Sequence, residues 1–137
     1  MDSKVFNNLS YITLLTNNLK GMSEFYEKIF SWQAKAVNDS MIVFHLPNLK
    51  LALVKKSLIE HEFPEIKKIK NQKPESNNTL LSYNLSSKKD VDAWFKNSAL
   101  QQGNIIQTPK TTSWGSYAGL MQDPEYNLWE INFTHAV

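Results

Sequence analysis

One folding plan is written twice in this sequence, and that repetition limits the chain more than its composition does. "LSYITLLT" (Leu9–Thr16) is apolar and β-branched, and predicts a strand. In "NNLKGMSEFYEKIF" the residues Leu19, Met22, Phe25, Tyr26, Ile29 and Phe30 recur at helical spacing, with Ser23 as the expected N-cap. Three strand-like runs follow, "WQAKAV", "MIVFHL" and "KLALVKK", joined by the turn signals "NDS" and "PN". The plan then restarts. "TLLSYNLS" (Thr79–Ser86) is a strand, and "KKDVDAWFKNSALQQG" is a helix carrying Val91, Trp94, Phe95 and Leu100 and ending at Gly103. "NIIQTP", "SYAGLMQ" and "YNLWEINF" are three more strands, and Tyr11 and Leu80 open the first strand of each half.

The pattern βαβββ, twice, defines an α+β chain. A unit of this kind has a helix on one face of its sheet, so the other face needs a cover. Two modules side by side would form a curved mixed sheet around a cleft, with helices on the outer face. The chain reads as a single domain, residues 1–137, with modules at about 9–56 and 79–134 and a linker at 57–78. Within that linker Ser57–His61 suit a short helical turn, and "KKIKNQK" reads as a solvated charge run rather than a binding patch. Period-two alternation sorts the strands. Leu81, Tyr83 and Leu85 belong to the helix side of strand five, and Leu80, Ser82 and Asn84 to the cleft. In strand eight Trp129, Ile131 and Phe133 face the helix; Leu128, Glu130 and Asn132 face the cleft.

Composition removes several function classes. There is no cysteine, hence no disulfide, thiolate nucleophile or thiolate metal site. No apolar run approaches the roughly 18 residues of a membrane span, and "MDSKVFNNLS" lacks the blocks of a secretory signal. A cytoplasmic protein without a membrane partner is expected. Net charge is +2 and all 15 basic residues are lysine. Arginine supplies the planar fork that grips phosphates and guanine edges, so no nucleic-acid partner is expected. No Gly-rich phosphate loop, nucleophile elbow or Ser/His/Asp order is present.

"YITLLTNNLKGMSEFYEKIFSW" and "WGSYAGLMQDPEYNLWEI" resemble the opening and closing stretches of the vicinal oxygen chelate superfamily, the glyoxalase/bleomycin-resistance/dioxygenase group. The closing stretch is the more specific: a Trp-Gly/Tyr-rich strand, an Asp-Pro hairpin turn, and a strand ending in Trp-Glu-apolar. The resemblance implies paired βαβββ modules around a cleft, often completed in a homodimer. Two departures fall at turns. Phe30-Ser31-Trp32 stands where the family has Leu-Gly-Phe or Leu-Gly-Trp. Asp123-Pro124-Glu125-Tyr126-Asn127 stands for Asp-Pro-Asp-Gly-Asn, and Asn127 is expected to take up the left-handed conformation.

Metal-using members hold a divalent ion near the starts of strands one and five and late in strand eight, commonly on two His and one Glu. Carried over, those places are Tyr11, Leu80 and Glu130. Leucine cannot ligate, and a phenol must first lose a proton that it holds to about pH 10. Open metal sites usually keep three protein ligands. No metal and no cofactor is therefore expected. Of the histidines, His45 lies in strand three, "HEFPE" at His61 lacks the second His of a zinc helix, and His135 is in the tail.

The resemblance then implies a protein that takes a small, partly apolar organic molecule in its cleft. Leu15, Leu80 and Trp114 would enclose it, with Tyr117 also lining the pocket; Tyr11, Ser82, Asn84 and Glu130 would orient it. Gly115 and Gly119 would let backbone and ligand approach closely. Trp32 is a further aromatic that either lines the pocket or packs in the core, whereas Phe25, Tyr26, Trp94 and Phe95 are core by their helical spacing. Glu130 is the candidate catalytic residue, as a general base, or else it simply accepts hydrogen bonds from Tyr11, Ser82 or water. The alternative is a metal-dependent lyase or isomerase, or a dioxygenase, holding an ion on Glu130 with His45. The sequence leaves open whether there is turnover.

Overall fold

The computed structural model describes residues 7–71, 78–97 and 103–134. In the first module β1 (Tyr11–Thr16) leads to α1 (Leu19–Phe30), then β2 (Ala34–Asn38), β3 (Met41–His45) and β4 (Lys50–Lys55). The sheet runs β1-β4-β3-β2, with β1 parallel to β4 and the other pairs antiparallel. The second module repeats this: β5 (Leu80–Asn84), α3 (Lys88–Phe95), β6 (Asn104–Thr111), β7 (Tyr117–Gln122) and β8 (Leu128–Phe133), in the order β5-β8-β7-β6 with β5 parallel to β8. The fold is α+β, two four-stranded mixed sheets each backed by a helix, and neither sheet closes on itself. Between Ile69 and Lys70 the chain separates into two compact units.

In α1 the apolar residues line one stripe, and Met22, Phe25, Tyr26, Ile29 and Phe30 are buried. Tyr26 is the centre of this core. Its ring lies parallel to Phe30 and Trp32, at 6.0 and 6.4 Å, and meets Phe44 of β3 edge-on at 6.3 Å. Trp32 also stacks on Phe30 at 4.3 Å, so it belongs to this core. Truncating an aromatic in such a place costs about 3–5 kcal/mol. The cap is Asn18, whose Oδ1 accepts the Gly21 amide at 3.0 Å; Ser23 lies inside the helix, buried, with its hydroxyl toward Glu27. The expected Ser23 cap is thus corrected. Asn18 wins because its side chain reaches an amide that the helix leaves unpaired.

Part of the expected linker is folded. After β4 the chain turns at once into α2 (Lys56–Glu62), and Leu58 and Ile59 pack on Val43, Ala52 and Val54. Those residues share the sheet face opposite α1, so α2 covers part of that face. Pro64–Asn71 then form a 3-10 helical stretch. In the second module α3 is shorter than expected. It starts at the Ser87 cap and stops at Phe95, where the Lys96 amide bonds the Ala93 and Trp94 carbonyls; Leu100 lies outside the described residues. β6 tolerates Pro109 because it is an edge strand, paired only to β7.

Two turns carry strain where the superfamily has glycine. Ser31 ends α1 with φ of 57°, and Tyr126 holds φ of 69°. Tyr126 itself, and not Asn127, therefore takes the left-handed place. Asp123 enforces it: buried, it accepts the Glu125 and Asn127 amides on Oδ1, both at 2.9 Å, and the Asn127 side chain on Oδ2 at 2.8 Å. With Asn127 tied at backbone and side chain, the residue before it must supply the turn.

Ser31→Gly and Tyr126→Gly should each stabilise the protein by about 0.5–1 kcal/mol, once the extra chain entropy of glycine is deducted. Gly119→Ala should cost about 1–3 kcal/mol, because a Cβ there would stand 2.5 Å from the Phe95 ring and 2.8 Å from the Gln107 carbonyl. Urea unfolding midpoints at constant slope check all three.

Candidate functional site

In the second sheet the strand register sets three rows of side chains on the face away from α3. Leu80, Leu128 and Gln122 form the first row; Ser82, Glu130 and Leu120 the second; Asn84, Asn132 and Ala118 the third. Cross-strand partners point to the same side of a sheet, so four of the expected residues, Leu80, Ser82, Asn84 and Glu130, share one face. Leu80 is exposed there, at 48%.

Glu130 is the only acidic residue in the strands of this sheet. It is half-buried, and its Oε1 accepts two hydrogen bonds of 3.0 Å, from the Ser82 hydroxyl and the Asn132 amide. Asn132 is buried, and its Oδ1 takes a further hydrogen bond from the Thr134 hydroxyl at 3.1 Å. Two residues thus pin one carboxylate oxygen, and Thr134 braces one of them. Oε2 receives no hydrogen bond from a described residue. The part of Asn132 was missed by sequence reasoning, which placed it toward the cleft but gave it no partner; its position two residues from Glu130 was the available signal.

Tyr117 does not join this group. Its phenol donates to Asp92 Oδ1 of α3 at 2.6 Å, and the Lys88 ammonium lies 5.7 Å from its ring. It therefore stands on the helix face of the sheet, opposite the face that carries Glu130. The hydrogen bond to Asp92 pushes the phenol's pKa up, with smaller contributions from desolvation and from the negative charge of Asp92. Gly119 lies on the same helix face, where the missing side chain makes room for Phe95 and not for a ligand. Gly115 serves its turn, with φ of 94°. That turn is closed by Thr112 and Ser116, whose hydroxyls are 2.8 Å apart, and it leaves Trp114 at its tip, 71% exposed.

In the first sheet, Tyr11 and Leu15 are exposed on the face opposite α1, with Thr13 between them. Tyr11, Lys50 and His45 make one row across three strands, and the Lys50 ammonium sits 5.3 Å from the Tyr11 ring. A groove of about 360 Å³ lies instead on the α1 side, where Leu19, Ser23, Glu27, Ile42 and Lys55 line it.

Paired βαβββ modules, with a carboxylate late in the last strand of the second, define a vicinal-oxygen-chelate type of protein. Residues 8–131 match the model of the Glyoxalase/Bleomycin resistance protein/Dioxygenase superfamily, and the chain belongs to that superfamily. It is similar to the crystal structure of a glyoxalase/bleomycin resistance protein/dioxygenase family enzyme from Burkholderia phytofirmans PsJN, with a TM-score of 0.80 and 20% identity over 93% of this chain and 99% of that one. A glyoxalase-related enzyme from Fulvimarina pelagi gives 0.77 and 19%, covering 94% and 89%. Lactoylglutathione lyase from Agrobacterium tumefaciens gives 0.70 and 15%, covering 94% and 95%. At these identities the likeness is one of fold. No curated protein matches the chain in sequence.

The residues do not fit the divalent ion that metal-using relatives hold. Of the three corresponding places one is a leucine, one a phenol whose ring lies under Lys50, and one a carboxylate with an oxygen already given to two protein donors. Among the described residues no three His, Asp or Glu side chains are grouped to replace them.

The Tyr117 pair predicts an alkaline effect of definite sign. A phenol whose folded pKa lies above the unfolded value of 10.0 adds stability below that pH and loses it as pH rises through the folded value. Tyr117→Phe should therefore be less stable than wild type at pH 8, and the gap should narrow above pH 10. Melting temperatures of both proteins from pH 8 to pH 11 would measure this.

Proposed function

We propose that the chain is a cytoplasmic homodimer that binds a small, partly apolar organic molecule without a metal. The observation that carries this reading is the environment of Glu130. A carboxylate with one oxygen held by Ser82 and Asn132, the other open, and an exposed leucine in the next row is built to orient a donor group on an apolar body. In the second module Leu80 would supply apolar contact and Ser82 and Asn84 polar contact, with the exposed ring of Trp114 at its turn; in the first module Leu15 and Tyr11 are exposed on the open face. The edge strands support pairing of two copies, since Ile105 and Ile106 of β6 and Val37 of β2 are exposed. A chain without cysteine suits a reducing compartment, and among the described residues no helix is long and apolar enough to cross a membrane.

The relatives named as enzymes raise the question of turnover. Glu130→Gln answers it, because glutamine keeps an oxygen for Ser82 and Asn132 and removes only the charge. Ligands found by thermal shift should bind this variant about tenfold more weakly, with no product formed by either protein. Nickel, zinc or manganese at millimolar concentration should move the wild-type melting temperature by less than about 1 °C. Stoichiometric metal in the purified protein, or product that disappears with Glu130→Gln, would reverse the reading.

A further inference from the structure

We infer that the ligand bears a carboxylate, and that this group is held by Lys50 and His45 beside Tyr11 on the open face of the first sheet. The inference rests on the reading above, that the chain binds a small molecule, and adds the chemistry of one of that molecule's groups.

The four strands of the first sheet contain no Asp or Glu. Their open face nonetheless presents Lys35, His45 and Lys50, because Lys35 partners Val43 and His45 partners Lys50 across the register. Lys50 is half-buried, yet no described carboxylate pairs with it; the acids of the neighbouring α2, Glu60 and Glu62, make no ion pair with it. Its contact with Tyr11 is a cation over a ring, which lowers the energy of a partly desolvated ammonium but does not neutralise it. A charge in that state gains from an anion more than a fully solvated lysine does.

The rest of the row completes a carboxylate site. His45 is exposed directly across from Lys50, so an imidazole and an ammonium rise from adjacent strands whose backbones run about 5 Å apart. Tyr11, on the other side of Lys50, is 46% exposed and offers a ring face to a planar body. The next two rows of this face, toward Val43, Ala52, Met41 and Val54, are under Leu58 and Ile59 of α2. The row of Tyr11, Lys50 and His45 lies beyond the residues that Leu58 and Ile59 cover. The corresponding row of the second sheet, Leu80, Leu128 and Gln122, has no charge.

The test is an amide-resonance titration of the full chain with three probes of one shape: 1-naphthoate, uncharged 1-naphthamide and cationic 1-naphthylmethylamine. Naphthoate should shift the amides of Tyr11, His45 and Lys50, and bind about tenfold more tightly than the amide. Lys50→Gln should abolish that preference. Lys35→Gln, on the same face but in another row, should keep it. Equal affinity for the acid and the amide, or a preference untouched in Lys50→Gln, overturns the inference and leaves small-molecule binding standing. Shifts confined to residues 78–134 do the same. If none of the three probes binds at millimolar concentration while a compound without an acid group does, the inference falls alone; if no compound binds at all, both readings fall.

Discussion

A single helix can cover only one face of a four-stranded sheet. Everything distinctive in this protein follows from how its two modules meet that constraint. In the first, α1 delivers Phe25, Tyr26, Ile29 and Phe30 onto one side, where Phe44, Leu51 and Leu53 receive them. Because side chains alternate, the same strands must present Tyr11, Thr13, Leu15, His45 and Lys50 on the other side. The helix face is thus fixed by hydrophobic burial, and the open face is what burial leaves over. Polar and charged residues there are tolerated, and available for contact, without costing the core anything.

The modules treat the open face differently. In the first, α2 returns over Val43, Ala52 and Val54, burying them from the side that α1 does not reach. In the second, the face carries a carboxylate in a ladder of donors from Ser82, Asn132 and Thr134. One face is narrowed by apolar packing and left basic; the other keeps its acid. Two copies of one plan have become chemically unlike while their strand order stayed the same.

The plan was legible in the sequence because period-two and helical spacing are properties of consecutive residues. Leu80, Ser82, Asn84 and Glu130 could be assigned to one face from alternation alone. What escaped was decided by pairing between strands or by competition among capping groups. Tyr117 could not be placed until the register set it opposite Phe133 and within reach of Asp92. Asn18 displaced Ser23 as cap because the chain after Thr16 turns early, with the Asn18 amide bonded to the Thr16 hydroxyl at 2.9 Å. Gly119 looked like a place for a ligand to approach, yet it is a seat for Phe95, a contact between residues far apart in the chain. Strain at Tyr126 was foreseen for the turn but assigned to its neighbour, since nothing local shows that Asp123 holds Asn127 by three separate bonds.

Glu130 illustrates why a retained residue is weak evidence for a retained reaction. A carboxylate in a metal site is held by the cation and needs few protein donors. Here the same position is occupied by a carboxylate whose Oε1 accepts from a serine across the parallel pair and from an asparagine two residues along its own strand. Together those bonds fix its orientation, which is the work a metal would otherwise do. A general base needs a free lone pair aimed at a substrate proton, and Oε2 retains that capacity. Pinning one oxygen also limits how far the group can swing to meet a reacting atom. Under the proposed reading the carboxylate holds a donor still, with groups that the fold already places on one face.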